Sequence, residues 1–197
     1  MAALVFKAPP PDIELVESVD RLLRDWSAKS PDLQFVSNGA VHQAPGVVVF
    51  AWTHVADANL IITVTLDDVR RARYLNVAAV DPDTSALLTT GLRRQFSTYS
   101  VEELLDAVRH EGASDPGAYV RLGMALDRHD DEASRLIRAG LESPDVEVRA
   151  NAAMAVMHLR WPEFADPVFR ARSRETDAGV GNLLEVSSRW YKPEPSS

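Results

Sequence analysis

Along the first third of the chain, the spacing of apolar residues switches from a helical period to a strand period. Leu15, Val16, Val19, Leu22, Leu23 and Trp26 recur at about 3.6-residue spacing behind Pro9, Pro10 and Pro11. This predicts an amphipathic helix from about Ile13 to Ala28, with Asp12 as its N-cap and Pro31 past its end. Strand patterns follow. Val47 to Val55 and Leu60 to Leu66 are rich in β-branched and aromatic residues, and Ala56 to Asn59 reads as the loop between them. Leu33 to Val36 and Val41 to Gln43 read as shorter strands around a Ser37-Asn38-Gly39 turn. In the second long strand Leu60, Ile62, Val64 and Leu66 alternate with Ile61, Thr63 and Thr65. One face is therefore wholly apolar and the other half polar, the pattern of a sheet covered on one side.

Arg71 to Val80 reads as another strand, against a short helix over Asp67 to Ala72. Asp81 to Thr84 reads as a turn into Ser85 to Leu88, and Arg93 to Tyr99 as a last edge strand. Ser100 and Glu103 form a capping-box pattern, and Val101, Leu104, Leu105 and Val108 supply the buried stripe of a helix that stops before Gly112. The expected fold class is α+β. Residues 1–111 form a two-layer sandwich, an antiparallel sheet of about four to six strands flanked by helices.

Residues 112–192 read as wholly helical, with helices at about Pro116 to Arg128, Asp131 to Leu141, Asp145 to Arg160, Pro162 to Arg174 and Ala178 to Tyr191. Residues 193–197 read as a flexible tail. Three segments echo one another: Ser114 to Arg121, Ser143 to Arg149, and Thr176 to Val180. They recur about every 30 residues, a helical-repeat spacing. Pro144, Asp145, Val148, Arg149, Ala152 and Ala153 place an aspartate at a helix start, then a Val-Arg pair, then small residues at a close helix contact. On these residues the stretch from Asp131 to Val156 resembles HEAT-type repeats, in particular the short bacterial kind of phycobilisome-lyase-like proteins. Tyr119 to Leu126 keeps Val120 and Arg121; Asp177 to Val186 keeps Asp177 and Val180 but has Gly181 where the arginine would stand. The resemblance implies a short stacked array in which the Asp and Arg positions hold neighbouring repeats together, and a scaffold for protein contacts. It covers none of residues 1–111.

Composition narrows the functions. The chain of 197 residues is 46% hydrophobic and 25% charged, ordinary globular proportions. It has no cysteine, which removes disulfides, thiol catalysis and cysteine-ligated metals and suits a cytoplasmic protein. No apolar run reaches membrane-span length, and the N-terminus lacks the pattern of a secretory leader. A net charge of −8 opposes general binding to nucleic acid or anionic lipid and favours a basic partner protein.

On the helix beginning at Asp145, Glu147, Asn151, Met154 and His158 form a stripe opposite Val148, Ala152, Ala155, Val156 and Leu159. Its counterparts in the flanking repeats include Tyr119, Gly123 and Leu126 on one side and Leu183, Val186 and Trp190 on the other. Tyr119, Glu147, Asn151, Met154, His158 and Trp190 are thus the candidate partner-binding residues, their mixture of aromatic, Met, amide and charge suiting a protein contact. The competing reading makes Leu126, Leu183 and Val186 core and Trp190 a cover for the array's end. Arg71, Arg73 and Arg94, with Arg70 and Arg93, are the candidate anion contacts if adjacent strands bring them together, against a bland role as charged edge protection. His129 to Glu132 reads as an acidic helix start rather than a cation site, and no metal motif or phosphate loop occurs. No cofactor is expected. The leading expectation is a non-catalytic adaptor or regulatory protein, with toxin neutralisation of the immunity type as its specific form. The alternatives are an enzyme or ligand-binding protein with a pocket at the junction of the two domains, near Trp52, His54, Arg94 and Tyr99, and nucleic-acid binding through the arginines.

Overall fold

The computed structural model describes residues 3–191; the expected tail at 193–197 lies outside them. The chain divides into two compact units, Met1–Tyr99 and Ser100–Ser197. The first unit is an antiparallel five-stranded sheet with two helices. Its elements are β1 (Leu4–Val5), α1 (Asp12–Lys29), β2 (Phe35–Ala44), β3 (Val47–His54), β4 (Ile61–Asp67), β5 (Ala72–Ala78) and α2 (Pro82–Gln95), and the strand order is β1-β5-β4-β3-β2.

Alternation along the strands builds the core. Trp52 stands opposite Ile62, and Ile62 opposite Val77; Phe50, Val64 and Leu75 form the next row. These rows pack with Leu15, Val19 and Leu23 of α1 and Leu88 and Leu92 of α2. The other face carries Val49, Ala51, Thr53, Ile61, Thr63, Thr65, Tyr74 and Asn76, the half-polar set anticipated from the alternation. α1 and α2 approach closely where Trp26 lies over Gly91, whose missing Cβ would sit 3.0 Å from that ring.

Three local expectations change. Ser37 to Gly39 is no turn: β2 runs through it as one ten-residue strand, with a register shift between Ser37 and Gly39 that Gly39 takes at φ 78°. The segment read as a turn and strands, Asp81 to Tyr99, is mostly the helix α2. Asp81 accepts from the backbone N–H groups of Asp83 and Thr84, Pro82 occupies the first turn, and Leu88 and Leu92 face the core. Asp12 does not cap α1, whose N-cap is Pro11; its carboxylate instead binds Arg73 of β5 at 2.7 Å.

The second unit contains α3 (Val101–Glu111), α4 (Gly117–Ala125), α5 (Asp131–Leu141), α6 (Val146–Leu159), α7 (Ala165–Arg174) and α8 (Ala178–Ser188), with short 3-10 turns at Pro162–Phe164 and Arg189–Tyr191. Ser100 and Glu103 form the capping box of α3, each side chain accepting from the other's backbone N–H. α3 packs on α4 and α5, so the boundary between units falls before this helix, rather than after it at residue 111.

The helices pair as α3 with α4, α5 with α6 and α7 with α8; α4, α6 and α8 touch in succession, as do α3, α5 and α7. Small residues set the close approaches. A Cβ on Gly123 of α4 would lie 2.8 Å from the Cα of Ala155 in α6, and one on Gly140 of α5 would lie 2.7 Å from the Tyr119 ring. Asp145 and Asp177, two of the three recurring aspartates, are the N-caps of α6 and α8; the third, Asp115, caps no helix and pairs with Arg121, and Asp130 caps α5.

Candidate functional site

The first turns of α6 and α8 frame an apolar groove of about 380 Å³ lined by Val146, Glu147, Ala150, Asp177, Gly179, Val180 and Leu183. Both helices start at aspartate caps. Asp145 accepts from the N–H of Glu147 at 2.7 Å and Asp177 from that of Val180 at 3.0 Å. The caps set Val146 and Val180 in the first turns of the two helices, where both line the groove, Val146 exposed and Val180 buried. Val146 is 41% exposed, and farther along α8 and the turn after it Val186 and Trp190 are each 38% exposed, large values for such side chains in a packed array. Glu147 is exposed at the groove, its carboxylate in no ion pair among the described residues.

A charged clamp beside the groove residues ties the start of α6 to the segment that leads into α8. Arg149 binds Glu175 through two nitrogens, at 2.8 and 2.9 Å, and donates to the carbonyl oxygens of Ser143 and Pro144. Glu175 also accepts from the N–H groups of Thr176 and Asp177. The Arg149 guanidinium, with help from these N–H groups, holds the Glu175 carboxyl at about 2. The Asp145 carboxylate accepts from the backbone N–H groups of Glu147 and Val148 and serves the cap of α6.

Of the candidate partner-binding residues, Glu147, Asn151, Met154 and His158 lie along α6 as anticipated, with Glu147 and His158 exposed and Asn151 and Met154 half-buried. The Asn151 amide donates to the Glu147 carbonyl. Tyr119 does not join them. It is 8% exposed, wedged between Gly112 and Gly140, and burial pushes its hydroxyl pKa up. It fills space where a glycine leaves room, which a stripe read from one helix does not reveal. Trp190 combines the two readings offered for it: its ring is stacked under the Arg160 guanidinium at 4.2 Å, yet more than a third of it is open. The adjoining Tyr191 hydroxyl, buried beside Glu163, is pushed up to about 12. Sequence reasoning missed Val146, Ala150 and Gly179. The available signal was Val146 itself, an apolar residue directly after an N-cap, where nothing on its own helix covers it.

The arginines do not form the expected strand patch. Arg73 is bound by Asp12 and Asp68. Arg71 sits in the β4–β5 turn at φ 49°, and Arg94 lies in the last turn of α2, a helix where a strand was expected. Of the residues proposed for a pocket, Trp52 donates to Asp20 at 2.9 Å, and His54 bridges loops: its Nδ1 accepts from the Asp57 N–H, so its Nε2 donates to the Asp32 carbonyl. Tyr99 lies against the Lys7 ammonium.

A second, polar groove of about 540 Å³ runs beside α5, lined by His129, Asp131, Ser134, Arg135, Arg138, Ala139, Glu142 and Glu163. His129 stands 3.7 Å from Asp131 and 3.6 Å from Glu163, its ring edge-on to Trp161. Among the described residues no group of three or more His, Asp or Glu side chains could hold a metal ion, and no helix is long and apolar enough to cross a membrane. The chain matches no protein-family model, no curated protein and no solved structure.

Proposed function

We propose that this chain is a non-catalytic protein-interaction module whose α6–α8 face receives a partner, with the paired helices serving as a short HEAT-like scaffold. The observation that supports this most is the groove itself: apolar inside, with the Glu147 carboxylate at its rim and exposed Val186 and Trp190 on the α8 side. An apolar anchor entering such a groove is desolvated, while basic neighbours meet the rim and the surplus of negative charge. The partner is therefore a basic protein presenting one or two apolar side chains. Neutralisation of a basic toxin, by masking a cationic surface, is the specific form that this charge favours. Stacked helix pairs and the Arg149–Glu175 clamp agree with the repeat reading, because both rigidify the face, the clamp without lining the groove.

The test is affinity capture on the immobilised chain, run beside Met154→Arg and Leu183→Asp variants whose helicity is verified by circular dichroism. A basic protein retained by the native chain, lost from both variants and released by salt is the expected result. Equal retention by all three would overturn the choice of face. The rival reading, a small polar ligand beside α5, has one observation in its favour: the buried Ser134 hydroxyl has no hydrogen-bond partner and belongs to a residue of that groove. An Arg138→Ala change that abolished partner capture while Met154→Arg left it intact would favour that groove instead.

A further inference from the structure

We infer that the outer edge of β2 pairs antiparallel with β2 of a second copy, joining two five-stranded sheets into one. The two edges of the sheet are treated differently. β1 has only two residues, and its outer side is already occupied: the Tyr99 N–H donates to the Val5 carbonyl, the Lys7 N–H to the Ser97 carbonyl, and Phe6 bridges Thr98. β2 ends the sheet at the other side with ten residues, nine of them exposed and the first half-buried. Its sequence, Phe35 to Ala44, contains no Asp, Glu, Lys, Arg or Pro. Those are the residues with which exposed edges are ordinarily protected from association.

The occupant follows from the side-chain pattern. Val36 pairs with Thr53 and Val41 with Val49, and Thr53 and Val49 lie on one face of β3. The register shift after Ser37 thus brings Val36 and Val41 to the same face although they stand an odd number of positions apart. They are 56% and 58% exposed. A twofold axis crossing the strand at its Asn38–Gly39 step sets Val36 opposite Val41 of the second copy, and the symmetry repeats this pair. The same register sets Phe35 opposite His42, and both of these lie on the helix-covered face, since they pair with His54 and Val48 of β3. Side chains therefore meet on matching faces throughout. The edge is self-complementary in charge because it has none, so the chain's net charge of −8 acts only through more distant groups. At physiological salt, screening over about 8 Å weakens that repulsion.

Sedimentation equilibrium between roughly 1 and 200 µM tests the inference. The expected mass rises with concentration from 21.7 kDa toward twice that value. A Val41→Lys variant, which sets a cation beside the symmetry axis, is expected to weaken the dimer at least tenfold while keeping its circular dichroism. The chain lacks cysteine, so a Val36→Cys, Val41→Cys double variant offers a clean second readout: an oxidised covalent dimer is expected. A chain that stays monomeric over the whole range overturns the inference, including one that instead takes up an extended peptide at β2. So does a dimer that Val41→Lys leaves intact and that the cysteine pair does not cross-link.

Discussion

At the residue scale the Arg149–Glu175 pair is the best-defined interaction of the second unit, and it yields a pH prediction. Glu175 is 3% exposed as a side chain and titrates at about 2 instead of near 4.5. The folded value is depressed, so the stabilisation is complete above about 4.5 and is lost as pH falls toward 2. Glu175→Gln keeps an oxygen for the Thr176 and Asp177 N–H groups but removes the charge. It is expected to cost about 2 kcal/mol at pH 7 in urea unfolding, less than the roughly 3 kcal/mol of the full shift because solvent screens part of the attraction, with the difference from the native chain shrinking between pH 4.5 and 2. Arg149→Ala is expected to cost about 2–3 kcal/mol, because it leaves a nearly buried carboxylate without its cation. Arg149 was legible as a structural residue from its place in the repeated segments. Its partner was not, since Glu175 lies 26 positions away in an unpatterned loop and meets Arg149 only when α6 and α8 lie side by side.

At the element scale, packing of helix on helix depends on glycines that propensity alone would count against a helix. Gly123→Ala and Gly140→Ala push a methyl into Ala155 and Tyr119 respectively, and each is expected to cost about 1–3 kcal/mol. A drop in melting temperature of about 4–8 °C per kcal/mol would be the readout. Gly181→Ala is the contrasting case. Its Cβ meets nothing within 4 Å, so the better helix former is expected to stabilise α8 by up to about 1 kcal/mol. The same scale explains the misread α2. Asp81 and Pro82 are a helix-start signal, but Thr84, Thr89, Thr90 and Gly91 lower the local preference for helix. What stabilises the helix is burial of Leu88 and Leu92 under the sheet.

At the scale of the whole molecule, the net charge of −8 makes the proposed docking testable through its salt dependence. If a basic protein docks on α6 and α8, its association rate is expected to fall about tenfold or more as salt rises from 0.05 to 0.5 M, while dissociation changes less. Stopped-flow or surface-binding kinetics would check this, and a salt-independent rate would remove charge from the account. Pairing through β2, in the first unit, would present two such faces in one assembly and raise avidity for a multivalent partner without any new contact.

By itself the sequence determined the fold class, the 3.6-residue and two-residue periodicities, most helix starts and the helical character of the second half, because these rest on local spacing and on capping chemistry. Tertiary structure alone decided which of the stripe residues reach solvent. Tyr119 is withdrawn because two glycines make room for it, whereas Glu147 and His158 stay exposed on α6. It also decided that Arg73 belongs to Asp12 and Asp68, and that β2 is an edge at all. These outcomes depend on which distant elements become neighbours, and hydrophobic spacing along one segment does not encode the surface that another segment will cover.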